Sequence, residues 1–279
     1  MKIEDYKMVP EAGDYEVGFR DTPNISGCFK EGLPDTIVLH YTGSSSMDSA
    51  IGWLTNKNAK ASAHFVVGKD GRIVQLAPVN TITWHAGISK WNNRQSLNQY
   101  SIGIEIDNAG LLEKRANGYA TWYNKRVADE LVVLATHKNM DREEAWEAYT
   151  AQQIEAVECL CSALIQKYNI KEIVGHDDIS PGRKIDPGPA FPLNKIRDKI
   201  LFGRIDDDET DEGDLRLQEQ GFGNVTANLL NIRSLPNGNA PTVSAPLSHG
   251  TKVKILGKQG KWYKVSMQTE GWVNARFVK

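Results

Sequence analysis

I-V-G-H-D-D-I-S-P-G-R-K-I-D-P-G-P-A-F, residues 173–191, ends a short apolar strand and passes at once into a loop that holds His176, Lys184 and Asp186. Pro181, Pro187 and Pro189 fix φ along this loop and restrain its backbone. A loop this rigid and this polar reads as a built site, and the pattern on either side says what carries it. Upstream, Thr150 and Gln153 form a capping-box pair, and Ile154, Val157, Cys161, Leu164, Ile165 and Tyr168 recur at helical spacing, so a helix over 150–168 packs on a sheet. The chain turns at Asn169 into a strand, Lys171–Val174, that delivers His176 at its end. Beyond Phe191 the pattern predicts a short helix over Leu193–Leu201.

Further towards the N-terminus the strands multiply. Ser101–Asp107 alternates strictly, placing Ile102, Ile104 and Ile106 on one side and Gly103, Glu105 and Asp107 on the other. Thr36–Tyr41 is a short β-branched run ending at Thr42-Gly43, a buried strand with His40 near its exit. Ser46 is positioned to cap a helix over Met47–Leu54. Ser62–Val67 and Arg72–Leu76 flank Gly68-Lys69-Asp70-Gly71 as a hairpin, which puts His64 on a strand. Thr83–Gly87 (T-W-H-A-G) is an aromatic, glycine-rich loop of the kind that lines clefts. Residues 1–34 show no period and read as an irregular wrap; residues 108–149 read as a long insertion with one helical piece around Lys125–Leu134.

These elements predict an α/β domain over 1–202, with a central mixed sheet flanked by helices. Between Asp206 and Asp214 stand seven acids in nine residues, which repel one another and cannot build a core, so 203–222 is an acidic linker. The run lacks the ligand spacing of a calcium loop. From 223 to 279 short apolar pieces alternate with turns, predicting a small all-β barrel. The net charge of −2 hides an asymmetry: eight Lys or Arg against Glu270 alone give 223–279 about +7, leaving about −9 for 1–222. No run of about 18 apolar residues suggests a membrane span, and the N-terminus lacks the apolar core of a signal peptide. The expectation is synthesis in the cytoplasm. Three cysteines, two of them two apart on a helix where their side chains diverge, suggest no disulfide.

A catalytic zinc takes three protein ligands and keeps one position for water. His40, His176 and Asp186 suit that arrangement, since each stands at a strand end or in a loop where one cleft could collect them. Taken singly, each would be an ordinary structural residue; it is the combination with Glu105 and Lys184 that points to chemistry. His64 reads as a group behind the ligands or as a satisfied cleft residue, and Trp84 and His85 as a loop cap or a substrate contact. All three are kept as candidate substrate-binding residues. His137 and His249 look like ordinary exposed histidines.

The blocks I-V-L-H-Y-T (37–42), S-A-H-F-V-V-G-K-D-G (62–71), W-H-A-G (84–87), S-I-G-I-E-I (101–106), Y-T-A-Q-Q (149–153) and 175–191, in that order, resemble the zinc-dependent N-acetylmuramoyl-L-alanine amidases of the type-2 amidase family, relatives of short phage amidases and peptidoglycan recognition proteins. The resemblance runs from about Asp35 to Leu193. It implies the amidase fold and hydrolysis of the amide between N-acetylmuramic acid and L-alanine in peptidoglycan. It further implies one Zn2+ per chain on His40, His176 and Asp186, with Glu105 as general acid/base and Lys184 steadying the oxyanion. Elementary chemistry agrees, because an amide needs a polarised carbonyl, a proton carrier and a cation near the developing charge. Two departures stand out: Asp186 replaces the cysteine of the recognition-protein branch, and Leu111–Trp146 is longer than short bacterial relatives need, so it could narrow substrate choice.

The C-terminal piece, with Asn231-Ile232-Arg233-Ser234, Gly260–Val265 and Gly271-Trp272-Val273, resembles bacterial SH3-like domains that accompany wall hydrolases. Its lysines suggest a polyanionic or peptidoglycan partner, and nothing accompanies them to suggest nucleic acid. Two other readings stay open: a non-catalytic peptidoglycan-binding protein, and a recycling amidase acting on soluble anhydromuropeptides in the cytoplasm. The main reading has the enzyme reach the wall after release or non-classical export. Limited proteolysis should cut first between Gly203 and Gly221; a first cut inside Leu111–Trp146 would place the boundary elsewhere.

Overall fold

A computed structural model describes residues 1–202 throughout, together with 222–225, 229–236, 242–248, 250–259 and 262–266. The chain forms two compact units, Met1–Leu201 and Phe202–Lys279. The acidic run of 206–214 and the Gly271–Val278 segment lie outside the described residues.

The first unit is built on a mixed six-stranded sheet in the spatial order Glu172–Gly175, Thr36–Tyr41, Ser101–Ile106, Phe65–Val67, Ile73–Gln75, Val17–Phe19. The first four of these run parallel to their neighbours, and Ile73–Gln75 is antiparallel to Phe65–Val67, as the tight Gly68–Gly71 loop requires. Parallel strands need covering on both faces. Alternation supplies this: Ile37, Leu39, Ile102, Ile104, Ile106 and Ile173 join one core with Val157, Leu160 and Leu164 of the helix Ala151–Lys167 and Ile196 of the helix Leu193–Phe202. On the opposite face, Val38 and Val174 pack with Ala86, Leu97 and Ile179, while Met47, Ala50, Ile51 and Leu54 of the helix Met47–Leu54 cover Val66 and Leu76.

Local signals hold these elements in place. Ser46 accepts from the Ser49 N–H at the start of Met47–Leu54. Thr150 and Gln153 form the reciprocal capping box, and Gln153 Nε2 also donates to the Asp107 carbonyl at 2.7 Å, tying the helix to the sheet edge. The three cysteines are free thiols.

Two expectations need correction. Residues 1–34 are not an irregular wrap: they contain the Lys2–Glu4 and Lys7–Val9 pair, the edge strand Val17–Phe19, and Ile25–Cys28, which pairs with Thr81–Thr83. Lys125–Leu134 is not helical. Its acids Asp129 and Glu130 start only a 3-10 turn, and β-branched Val132 and Val133 belong to a strand, Val132–Thr136, paired antiparallel with Glu143–Glu147. In the second unit, strands Phe222–Asn224, Lys252–Gln259 and Trp262–Ser266 form one sheet and Leu229–Leu230 pairs with Leu247–Ser248. There Val225, Leu247 and Val253 are buried together, whereas Tyr263 is 54 % exposed.

Candidate metal centre and cleft

Register decides which side chains meet. Glu105 is the pairing partner of His40, and Gly175 is the partner of Leu39, so the next residue, His176, continues alongside His40. All three therefore emerge at the carboxyl ends of adjacent parallel strands, where open α/β sheets place their ligands. The loop after His176 returns with Asp186, whose carbonyl accepts from the Asp177 N–H at 2.9 Å.

His40 Nδ1, His176 Nδ1 and Asp186 Oδ2 stand 2.9, 3.0 and 3.0 Å from one another, and all three residues are buried. Among the described residues they form the one group able to hold a metal ion. Their outer hydrogen bonds say which ring atoms carry protons. His176 Nε2 faces the Ala86 carbonyl at 3.1 Å; Arg183 Nη2 lies 3.3 Å from the same nitrogen but donates at shorter range to the Ile88 carbonyl and Ser180 Oγ, so the carbonyl contact is taken as the one Nε2 donates to, which leaves Nδ1 a bare lone pair. His85 Nε2 faces the Ser101 carbonyl at 3.2 Å and donates, so its Nδ1 accepts from His40 Nε2 at 3.1 Å. His40 Nδ1 is then bare as well. Two lone pairs and a carboxylate oxygen converge, an arrangement that calls for a cation. The proton is a poor candidate at neutral pH, because burial and the neighbouring His176 hold the His40 pKa down at about 4. Two imidazoles and one carboxylate oxygen are the donor set of a catalytic zinc site with a position left open, and the residues fit that ion.

The metal-site residues form the floor of a cleft of about 320 Å³ whose lining includes Tyr41, Trp53, Trp84, Glu105 and Lys184. Glu105 as a residue is half-buried on this lining, yet its Oε2 atom reaches neither solvent nor a hydrogen-bond partner. Burial, and then the Asp186 charge, push its pKa well above the usual carboxyl value, while Lys184 pulls it partly back.

The three remaining candidates separate. Trp84 is half-buried on the cleft wall, its Nε1 donating to Ser26 Oγ at 2.6 Å. His85 lies at the cleft, but both ring nitrogens are engaged, and its work is to orient His40. It sits over Gly103, where an added Cβ would lie 2.4 Å from the imidazole, so the space beside Glu105 belongs to His85. His64 is fully buried; Nε2 meets the Thr81 carbonyl at 2.7 Å, and Nδ1 accepts from the Gly103 N–H at 3.0 Å. The expectation that His64 binds substrate is therefore corrected: it props the Thr81–Thr83 segment against the sheet.

His137 is the residue that sequence reasoning misplaced. It is 1 % exposed and paired with Asp177 at 2.9 Å, a partner 40 positions away that no local pattern announces. His249 lies outside the described residues. From the same insertion, Trp122 donates to the Gly43 carbonyl at 2.7 Å and walls a second groove that shares Tyr41 with the cleft.

The fold and this site define the class. The family described as N-acetylmuramoyl-L-alanine amidase matches residues 30–189, more than half of the chain, and the bacterial SH3 domain family matches 228–279. The chain belongs to the N-acetylmuramoyl-L-alanine amidase family. Among individual proteins, it is 34 % identical over 170 residues to the N-acetylmuramoyl-L-alanine amidase AmiD of Escherichia coli (strain K12), covering 57 % of this chain and 51 % of AmiD. It is 32 % identical over 140 residues to the 1,6-anhydro-N-acetylmuramyl-L-alanine amidase AmpD of the same strain, covering 50 % and 57 %. A solved complex of Escherichia coli AmiD with anhydro-N-acetylmuramic acid-L-Ala-D-gamma-Glu-L-Lys matches at 30 % identity and a TM-score of 0.46, over 68 % of this chain and 60 % of that one. The chain spans about half the length of the curated relatives it matches. Among the described residues no helix is long and apolar enough to cross a membrane.

The raised Glu105 pKa makes a prediction for the metal-free protein. The folded state holds this proton more tightly than the unfolded chain, so the stability it contributes is complete below the ordinary value of 4.5 and is lost as pH rises towards the folded value. Glu105→Gln removes that dependence. In chelator-treated protein its melting temperature should exceed wild type by several degrees at about pH 8 and converge with it near pH 4. An equal gap at both pH values would mean that burial of the carboxylate is not its source.

Proposed function

We propose that residues 1–202 form a zinc hydrolase that cleaves the amide joining N-acetylmuramic acid to L-alanine in peptidoglycan. One observation carries the reading: three bare metal donors converge beside a buried carboxyl that strand register places next to the first of them. His40, His176 and Asp186 hold one zinc ion, which when bound supplies Lewis-acid polarisation of a carbonyl and an acidified water. Glu105 takes the proton of the attacking water and passes it to the leaving amine, and its raised pKa suits it to both halves of that transfer. Lys184 faces the same cleft and stabilises the charge that grows on the carbonyl oxygen. Trp84 offers substrate an apolar wall, and His85 keeps the His40 ring in the tautomer that binds metal. The complete donor set, with Glu105 in place, weighs against a protein that only binds peptidoglycan.

In the same proposal, 203–222 is an acidic linker and 223–279 a module holding the wall polymer or an associated polyanion, supported by its charge of about +7. A second reading, a recycling amidase for soluble anhydromuropeptides, draws support from the 1,6-anhydro amidases among the relatives. Activity on intact sacculi that falls when 223–279 is removed supports wall cleavage, whereas activity confined to soluble anhydromuropeptides supports recycling.

The two carboxylates should fail differently. Asp186→Ala removes a ligand, so zinc content and turnover fall together. Glu105→Gln keeps the donors, so zinc stays near one per chain while cleavage drops by roughly 10²–10⁴, the usual contribution of a positioned acid/base. Metal analysis beside mass spectrometry of digested peptidoglycan reads both; a zinc-free Glu105→Gln protein, or one of near-normal turnover, would be incompatible with the role given to Glu105.

A further inference from the structure

We infer that the hairpin Val132–Thr136 with Glu143–Glu147, part of the long insertion, is a brace for the loop carrying two of the three metal donors, and that His137 is its positioning residue. The inference rests on the metal reading of His40, His176 and Asp186.

The brace grips that loop at both ends. At the first, His137 Nε2 donates to Asp177 Oδ2 at 2.9 Å, with the proton fixed on Nε2 because Nδ1 accepts from the Asn139 N–H at 3.1 Å. Asn139 Nδ2 donates to the Asp177 carbonyl at 3.2 Å. The Lys138 ammonium lies 2.8 Å from Asp177 Oδ1, a close ion contact rather than an aligned hydrogen bond, and also pairs with Asp178. Three successive residues of one turn thus hold Asp177, which directly follows His176 and whose N–H holds the Asp186 carbonyl. At the other end, Trp146 is 1 % exposed, stacks on the His137 ring at 5.7 Å, and fills the space left by Gly188, where an added Cβ would lie 2.9 Å from the indole. Gly188 is two residues beyond Asp186.

His137 does not line the cleft, so its influence passes through Asp177. A carboxylate buried beside a ligand is costly unless paired, and the imidazole pairs it in one geometry. Groups behind metal ligands that fix their orientation typically change metal affinity 10–100-fold when removed. The insertion therefore presets the spacing of His176 and Asp186 before a metal arrives.

The test is zinc affinity of the full chain by chelator competition, beside the melting temperature of the metal-free protein. His137→Leu should weaken zinc binding about 10–100-fold in a protein that still folds. His137→Gln, which returns an N–H close to the same position, should recover most of it. Wild-type affinity in His137→Leu, or equal loss in His137→Gln, would overturn the inference. Hydrogen exchange on the metal-free wild type decides the matter even if His137→Leu does not fold. The Asp177 amide should stay protected without metal, and exchange at the rate of an open loop would show that the metal, not the hairpin, orders it. A wild-type chain that takes up no zinc sinks the metal reading, while Asp177 protection still reports on the brace.

Discussion

Parallel pairing of Thr36–Tyr41 with Ser101–Ile106 on one side and Glu172–Gly175 on the other is the constraint on which the molecule depends. A shift of one residue in either register would turn His40 or Glu105 to the opposite face, where the apolar helices pack. The same alternation that buries Ile37, Leu39, Ile102, Ile104 and Ile106 therefore aims the polar residues between them at the cleft. Core and chemistry are two faces of one pattern, and a change that disturbs the isoleucines disturbs the site.

Around the converging donors, histidines do unequal work. His40 and His176 offer Nδ1 to the centre, His85 fixes the proton on His40, and His64 closes the wall behind Gly103. Gly103 is needed because its missing side chain is the seat of the His85 ring. The outer ends of these contacts are backbone carbonyls: those of Ser101 and Thr81, facing His85 and His64, lie in strands, and that of Ala86, facing His176, lies in the loop before Gly87.

Much of this was legible in the residues. The strand ending in His40, the alternation that offers Glu105, the capping box of Thr150 and Gln153, and the proline-stiffened loop of His176, Lys184 and Asp186 are local patterns with local causes, and they survived folding. His137 and the N-terminal strands did not read out, because their state is set by partners far along the chain; His64 is the satisfied residue its strand setting allowed and not a substrate contact. His64 is satisfied by Thr81 and Gly103, and His137 by Asp177. A histidine in a polar turn looks solvated until the carboxylate that buries it is known. The helical reading of Lys125–Leu134 failed for a different reason: its acids and leucines imitate helical spacing, but β-branched Val132 and Val133 pair with the strand that brings Trp146 inward.

The strand order has a bearing on biosynthesis. The sheet's parallel core is not laid down from one edge: Glu172–Gly175, the last of its strands to be made, lies beside Thr36–Tyr41, the first. A ribosome-bound chain that has released only the first two-thirds of this unit can pair His40 with Glu105, yet it lacks His176 and Asp186 entirely. The donors therefore meet only when translation has passed the proline-rich loop. A product that stops short of that loop carries His40 and Glu105 without His176 and Asp186.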